Sequence, residues 1–200
     1  MCVLLAIGNL SMAQEPAVKS KKELRQEKKE RKLEQEAEEL ENLNILVRKR
    51  AWALEANALF NRQGFRTALN PSLNFVAVQG NYGAIQLQTI GNTPQQINFD
   101  GVGGDPISDR VLVNDNGVGG FTFEGTVWDY QVTEPKKENK GVSLRAFIST
   151  QSGAIQIDLV VNSRQNSRLT ISWGWGDRTV ITGTLLEPSK SSVYKAFSSY

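Results

Sequence analysis

The 200-residue chain contains no histidine, and its one cysteine is Cys2. These two absences remove an imidazole base, a thiol nucleophile within the body of the chain, zinc sites of the usual ligand types and any internal disulfide. Whatever chemistry remains would fall to carboxylates, hydroxyls, Lys or Arg. From the residues we identify no catalytic residue, no cofactor-binding residue and no metal ligand, and we expect a domain that uses no cofactor. Long apolar runs are lacking too. The one at the start, MCVLLAIGNLSMAQEP, is too short to span a bilayer of roughly 30 Å as a helix.

That run ends in Ser11-Met12-Ala13, with small residues where a signal peptidase reads them, and cleavage after Ala13 would expose Gln14. The basic segment expected ahead of it is missing. We read residues 1–13 as a signal peptide truncated at its start; the alternative is a short apolar start with no targeting role. A lipid anchor fits poorly, because a lipidated Cys should follow the apolar run and Cys2 precedes it.

What is present falls into two parts. Length and composition, with 40% apolar and 22% charged residues, suit one globular domain plus an extension. Residues 19–50 hold 11 Lys/Arg and 8 Glu with no Gly or Pro, so residues 14–44 read as a charged helical arm or linker. Leu33, Ala37, Leu40 and Val47 share one stripe, so only the second half is equipped to dock. Sustained heptads are absent, which disfavours a coiled coil, and eight glutamates dilute the field a nucleic acid would need.

Residues 45–200 read as an all-β domain. Trp52, Leu54 and Ala56 alternate, short apolar runs follow at 73–78 and 84–90, and from Phe121 onward five apolar series of period two are separated by PKKENKG, TQSG, NSRQNS and WGD. The fold class is mainly β: an antiparallel meander forming a curved sheet, a sandwich or a partly open barrel behind the helical arm. GVGG occurs at 101–104 and 117–120, but the second copy leads into the strand pattern FTFEGTVWDY rather than a helix, so both read as loops and not as phosphate cradles.

Opposed residues of antiparallel strands share a face, which lets register be read by matching apolar with apolar. Pairing Val132 with Val142, Ile148 with Ile155, Val161 with Leu169 and Leu169 with Leu185 satisfies four hairpins. In that register Trp128, Ala146, Ile157, Trp173 and Ile181 form one core row, and Trp175 lies at the core's edge beside the last turn. Trp175 is thus the candidate ligand-binding residue, as a stacking platform. A two-residue Gly176-Asp177 turn is the competing geometry and would flip the last strand, placing Val180, Thr182 and Thr184 inside. The same register sets Asp129, Arg145 and Asp158 side by side on the opposite face. An arginine between two carboxylates keeps both ionised, which suits an ion-pair ladder better than the acid of a glycosidase.

ALEANA at 53–58, NYGAIQLQ at 81–88, FEGTVWDYQV at 123–132, TVITGTL at 179–185 and SSVYKAF at 191–197 together resemble the domain of unknown function 4251 family, exported bacterial proteins mostly of Bacteroidetes. The resemblance covers nearly all of residues 45–197. It implies an all-β domain behind a signal peptide and a variable N-terminal region, and it brings no activity, cofactor or catalytic residue.

The functional expectation is an exported, non-enzymatic β-sheet module of the cell envelope, periplasmic or secreted, that binds a protein, a peptide or an apolar ligand against its sheet. No nucleic acid and no transmembrane span in the mature chain are expected. The alternatives are a carboxylate-dependent glycan hydrolase using Asp129 or Asp158 with Trp175 as platform, and a structural envelope component without a ligand. Export is open to a direct check: the mature protein is expected to begin at Gln14 and to fractionate outside the cytoplasm. Intact mass reads this, and Met1 retained on cytoplasmic protein is the contrary result.

Overall fold

The computed structural model describes residues 20–60, 64–89, 119–135, 141–173 and 178–192. Residues 1–13, the first GVGG, Trp175 and the Gly176-Asp177 dipeptide lie outside the described residues. The chain divides into two compact units, Met1–Gln35 and Glu36–Tyr200, and one helix, α1 (Lys21–Arg48), begins in the first and ends in the second.

Within the first unit the helix start is set by a reciprocal capping box. The backbone N–H of Ser20 donates to Glu23 Oε2 at 2.7 Å, and that of Glu23 donates to Ser20 Oγ at 3.3 Å, pairing two N–H groups that the helix itself leaves open. The Glu27–Arg31 pair forms at 2.6 Å on the surface, a contact worth a few tenths of a kcal/mol, roughly. Leu24 and Leu33 are exposed.

The second unit is an antiparallel barrel. Its strands are β1 (Ala51–Phe60), β2 (Arg66–Ala68), β3 (Phe75–Gln79), β4 (Tyr82–Thr89), β5 (Gly119–Thr133), β6 (Ser143–Thr150), β7 (Gly153–Val160), β8 (Ser167–Trp173) and β9 (Arg178–Leu186). The order β1-β3-β4-β5-β6-β7-β8-β9 is closed by β1 pairing with β9, and β2 is an extra strand on β1. Of the curved sheet, sandwich and partly open barrel expected from the sequence, the barrel is the form adopted, and it is closed rather than partly open. Closure removes the sheet edges that an open meander would leave unpaired.

An eight-stranded barrel is just wide enough to be filled by its own side chains. Trp52, Leu54, Ile85, Leu87, Ile148, Ile157, Leu159, Leu169, Ile171, Ile181 and Leu185 are fully buried within it. Outward positions carry Glu124, Arg145, Asp158, Arg168 and Arg178. Apolar inside and charged outside is the inverse of a membrane-spanning barrel. Among the described residues no helix is long and apolar enough to cross a membrane. The closing seam depends on a glycine: a Cβ on Gly183 would sit 2.1 Å from Glu55 O, where β1 bulges between Ala56 and Ala58. Outside β1, β3 and β4 a second small cluster, Ala53, Phe75, Ala77 and Ala84, is buried. Next to it Glu55 Oε1 accepts from the Ser191 hydroxyl at 2.8 Å and the Ser192 N–H at 2.9 Å, holding the chain after β9 against β1.

The last turns of α1 close one end of the barrel. Leu40, Leu43 and Val47 join the barrel core, and Asn44 Oδ1, itself buried, accepts from the N–H of Val142 at 3.0 Å. Arg48 grips Glu134 with two parallel bonds of 3.1 and 2.9 Å. The docking stripe expected from Leu40 and Val47 is the one used, while Leu33 stays in solvent.

The observed register keeps the expected faces of β6 to β9 but slides the strands. Ile148 does face Ile155. Leu169 faces Leu159 and Ile181 rather than Val161 and Leu185. Each slip is an even number of residues, so Leu169, Ile171, Ile181 and Leu185 remain inside, and the flipped alternative for the last strand is not adopted. Two tryptophan placements are corrected. Trp173 sits at the end of its strand opposite Ile155, half-buried and packed on Phe123 at 5.1 Å between ring centroids, not in the middle of a core row. Trp128 is on the outer face, for the reason given below.

Leu43→Ala is expected to cost about 2–5 kcal/mol, as a large-to-small change in the core does. Leu33→Ala should stay within roughly 0.5 kcal/mol. Urea denaturation of the two variants reads the difference; equal costs would mean that α1 does not seal the barrel.

Candidate functional site

Strand β5 is long, and its register against β6 breaks between Trp128 and Gln131, where one extra residue is inserted. Asp129 takes a left-handed backbone conformation there, φ 47°, which Asp tolerates better than most residues but not without cost. The insertion reverses the sense of alternation. Before it Phe123 and Val127 point into the core; after it Tyr130 and Val132 do. Trp128, just before it, therefore lies outward, 47% exposed, although Tyr130 two residues on lies inward. It faces Phe147 across the β5–β6 pairing, the two rings stacked with centroids 4.6 Å apart and an interplanar angle of 19°.

Beside this aromatic pair runs a row of planar polar groups on β5, β6 and β7. Gln131 donates to Asp129 Oδ1 at 2.7 Å, Arg145 Nε donates to Asp158 Oδ1 at 2.9 Å, and Gln156 donates to Asp158 Oδ2 at 2.7 Å. Arg145 faces both Gln131 and Asp158 in the pairing. Its guanidinium is held further toward the charged form by the hydrogen bond to Asp158, then by the charges of Asp158 and Asp129. Of the Asp129, Arg145, Asp158 row expected from the sequence, Arg145 and Asp158 are paired, whereas Gln131 takes the place opposite Arg145 and Asp129, in the bulge, reaches Arg145 through its charge alone. Both oxygens of Asp158 accept hydrogen bonds, and the row lies on the convex outer surface of the barrel, an arrangement suited to holding polar groups rather than delivering a proton. Among the described residues no group of three His, Cys, Asp or Glu is placed to hold a metal ion. Trp175, the residue singled out for stacking, lies outside the described residues.

The inner side of the same bulge anchors the helix. The Tyr130 hydroxyl donates to the Val47 carbonyl at the end of α1 and accepts from Trp52 Nε1 at 3.0 Å. Arg50, itself left-handed at φ 53°, places its guanidinium 4.6 Å over the Tyr130 ring and bonds Asn81 Oδ1 at 2.7 Å. Burial pushes the Tyr130 hydroxyl up to about 12, against smaller opposing effects of Trp52 and Arg50. The exposed Trp128 is the residue that sequence reasoning missed. A signal was present: apolar positions 123 and 127 are odd, whereas 130 and 132 are even, and such a change of parity within one strand marks a bulge.

No protein-family model matches the chain, and no curated protein does. Among solved structures it is similar to a DUF4251 family protein from Bacteroides eggerthii, with a TM-score of 0.57 and 24% identity over 80% of this chain and 95% of that one. The likeness is one of fold, and it is consistent with a domain of the DUF4251 type.

The Tyr130 environment generates a pH dependence. Its folded value lies above the ordinary tyrosine value of about 10, so the unfolded chain loses the proton first and stability falls as pH rises from about 10 to about 12. Tyr130→Phe is expected to flatten this alkaline decline while costing on the order of 1–2 kcal/mol at neutral pH for the lost bonds to Val47 and Trp52. Denaturant midpoints across that pH range, variant against parent, measure both effects.

Proposed function

We propose that the domain is a non-enzymatic binding module of the cell envelope, exported by the N-terminal apolar segment, and that it engages its partner with the outer face of β5, β6 and β7. The observation that carries this reading is Trp128, a large aromatic side chain exposed to solvent, stacked on Phe147 and set directly beside a strained bulge. Bulges next to functional sites re-aim side chains in this way, and backbone strain concentrates at such sites. The apolar sheet face, which in an open sheet would call for a covering partner, is covered by barrel closure and by α1. Binding therefore falls to the outer surface rather than to an apolar ligand in the interior. Export rests on Ser11-Met12-Ala13 and on the family resemblance of the sequence motifs.

The test compares three proteins for cosedimentation with isolated envelope material. The parent and Arg168→Ala, altered on the exposed β8 surface, are expected to cosediment, and Trp128→Ala is expected to remain in solution with an unchanged circular dichroism spectrum. Equal behaviour of all three would overturn the assignment of the face.

A further inference from the structure

Resting on that reading of the outer face, we infer that its ligand is a neutral glycan chain. The geometry supplies the two elements that recognition of a sugar ring requires. One is a rigid aromatic surface: Trp128 stacked on Phe147, both on paired strands, offers a ring whose negative face attracts the polarised C–H groups on the flat side of a pyranose. The other is a set of planar donors and acceptors in line with it. The carboxylates of Asp129 and Asp158 accept from hydroxyls, the amides of Gln131 and Gln156 do both, and the Arg145 fork donates. Strands β5 to β7 cover about 10 Å, which accommodates a short oligosaccharide rather than one ring.

The charge pattern selects against the other ligands. Arg145 has its Nε already on Asp158 at 2.9 Å and feels the charge of Asp129 nearby, and Glu124 adds a further carboxylate on the same face of β5. A phosphate or an acidic polysaccharide would meet more carboxylates than cations. An extended peptide has no edge to join at β6 or β7, each of which pairs with neighbours on both sides. A neutral polyhydroxylated chain needs neither a net charge nor an edge. Because the attraction is not ionic, its affinity is expected to be insensitive to salt.

The probes are neutral hexasaccharides of glucose in β-1,4 and α-1,4 linkage, of xylose, of mannose and of N-acetylglucosamine, with oligogalacturonate and inorganic phosphate as anionic controls, titrated into the full chain by calorimetry. At least one neutral hexasaccharide is expected to bind, with the same affinity at low and high salt, and neither anion should compete. Trp128→Ala should weaken it about tenfold or more, the equivalent of one aromatic stacking contact. Gln156→Ala should weaken it severalfold, and Arg168→Ala should leave it unchanged. Binding by none of the neutral sugars, tighter binding of an anion, or equal affinity in Trp128→Ala overturns the inference. If no sugar binds while Trp128→Ala still fails to cosediment with envelope material, the glycan is wrong and the binding face stands. If Trp128→Ala also cosediments like the parent, both fall.

Discussion

One inserted residue in β5 decides which side chains are core and which are surface at the end of the barrel closed by α1. Had β5 held the same residues in an unbroken ladder, with no bulge at Asp129, the alternation that buries Phe123 and Val127 would send Tyr130 and Val132 outward. The Tyr130 hydroxyl could not then reach the Val47 carbonyl, and Trp52 Nε1, fully buried in the barrel, would lose its acceptor. An unpaired indole N–H in that interior costs about 1–3 kcal/mol. The same bulge lets Trp128 stay outside, against Phe147, while Tyr130 two residues later turns in. Helix anchoring and the candidate binding face are thus two sides of a single irregularity.

Barrel closure and the helix plug solve one problem together. A meander buries one face and exposes the other. Curling until β1 meets β9 buries that face against itself, at the cost of requiring Gly183 where the backbones crowd. A barrel closed only around its circumference still opens at its ends, and Leu40, Leu43 and Val47 close one of them. Asn44 completes the seal by accepting from the buried Val142 N–H, a donor left outside the strand pairing. Within this unit the helix is apolar on the one stripe that meets the barrel core.

Much of this was legible in the sequence because it is periodic. Strands of period two were identifiable from Trp52 to Leu185, and faces survived register slips of two or four residues because any even slip keeps parity. The slips themselves were not legible: apolar matching is satisfied equally well at several offsets when Ile, Leu and Val recur at every second position. Closure was not legible either, since the β1–β9 contact joins residues more than a hundred apart and nothing local announces it. The charge row of Asp129, Arg145 and Asp158 was found by parity, although the bulge inside β5 was not. Asp129 escaped the error because at the extra residue the chain changes sense, leaving both 129 and 131 on the outer side. Trp128 did not escape it, and the candidate face moved with it from the WGWG turn to the β5–β6 pair.

Among the described residues, two that are not glycine hold left-handed backbone conformations, Arg50 and Asp129, where glycine would relieve on the order of 1 kcal/mol each. At Arg50 the compensation is visible inside the chain: its guanidinium covers Tyr130, bonds Asn81, and its carbonyl accepts from Gly80 at 2.8 Å. At Asp129 the internal return is small. Its carboxylate accepts one hydrogen bond from the exposed amide of Gln131 and lends Arg145 a solvent-screened attraction, contacts of the kind that contribute a few tenths of a kcal/mol, roughly. Glycine would make the same bulge and turn Trp128 outward just as well. A side chain kept at a strained position, for contacts that do not offset the strain within the chain, is better explained by a contact outside it. Within the proposed binding face, this argues for the carboxylate of Asp129, and not only the ring of Trp128, as a group that would meet the ligand.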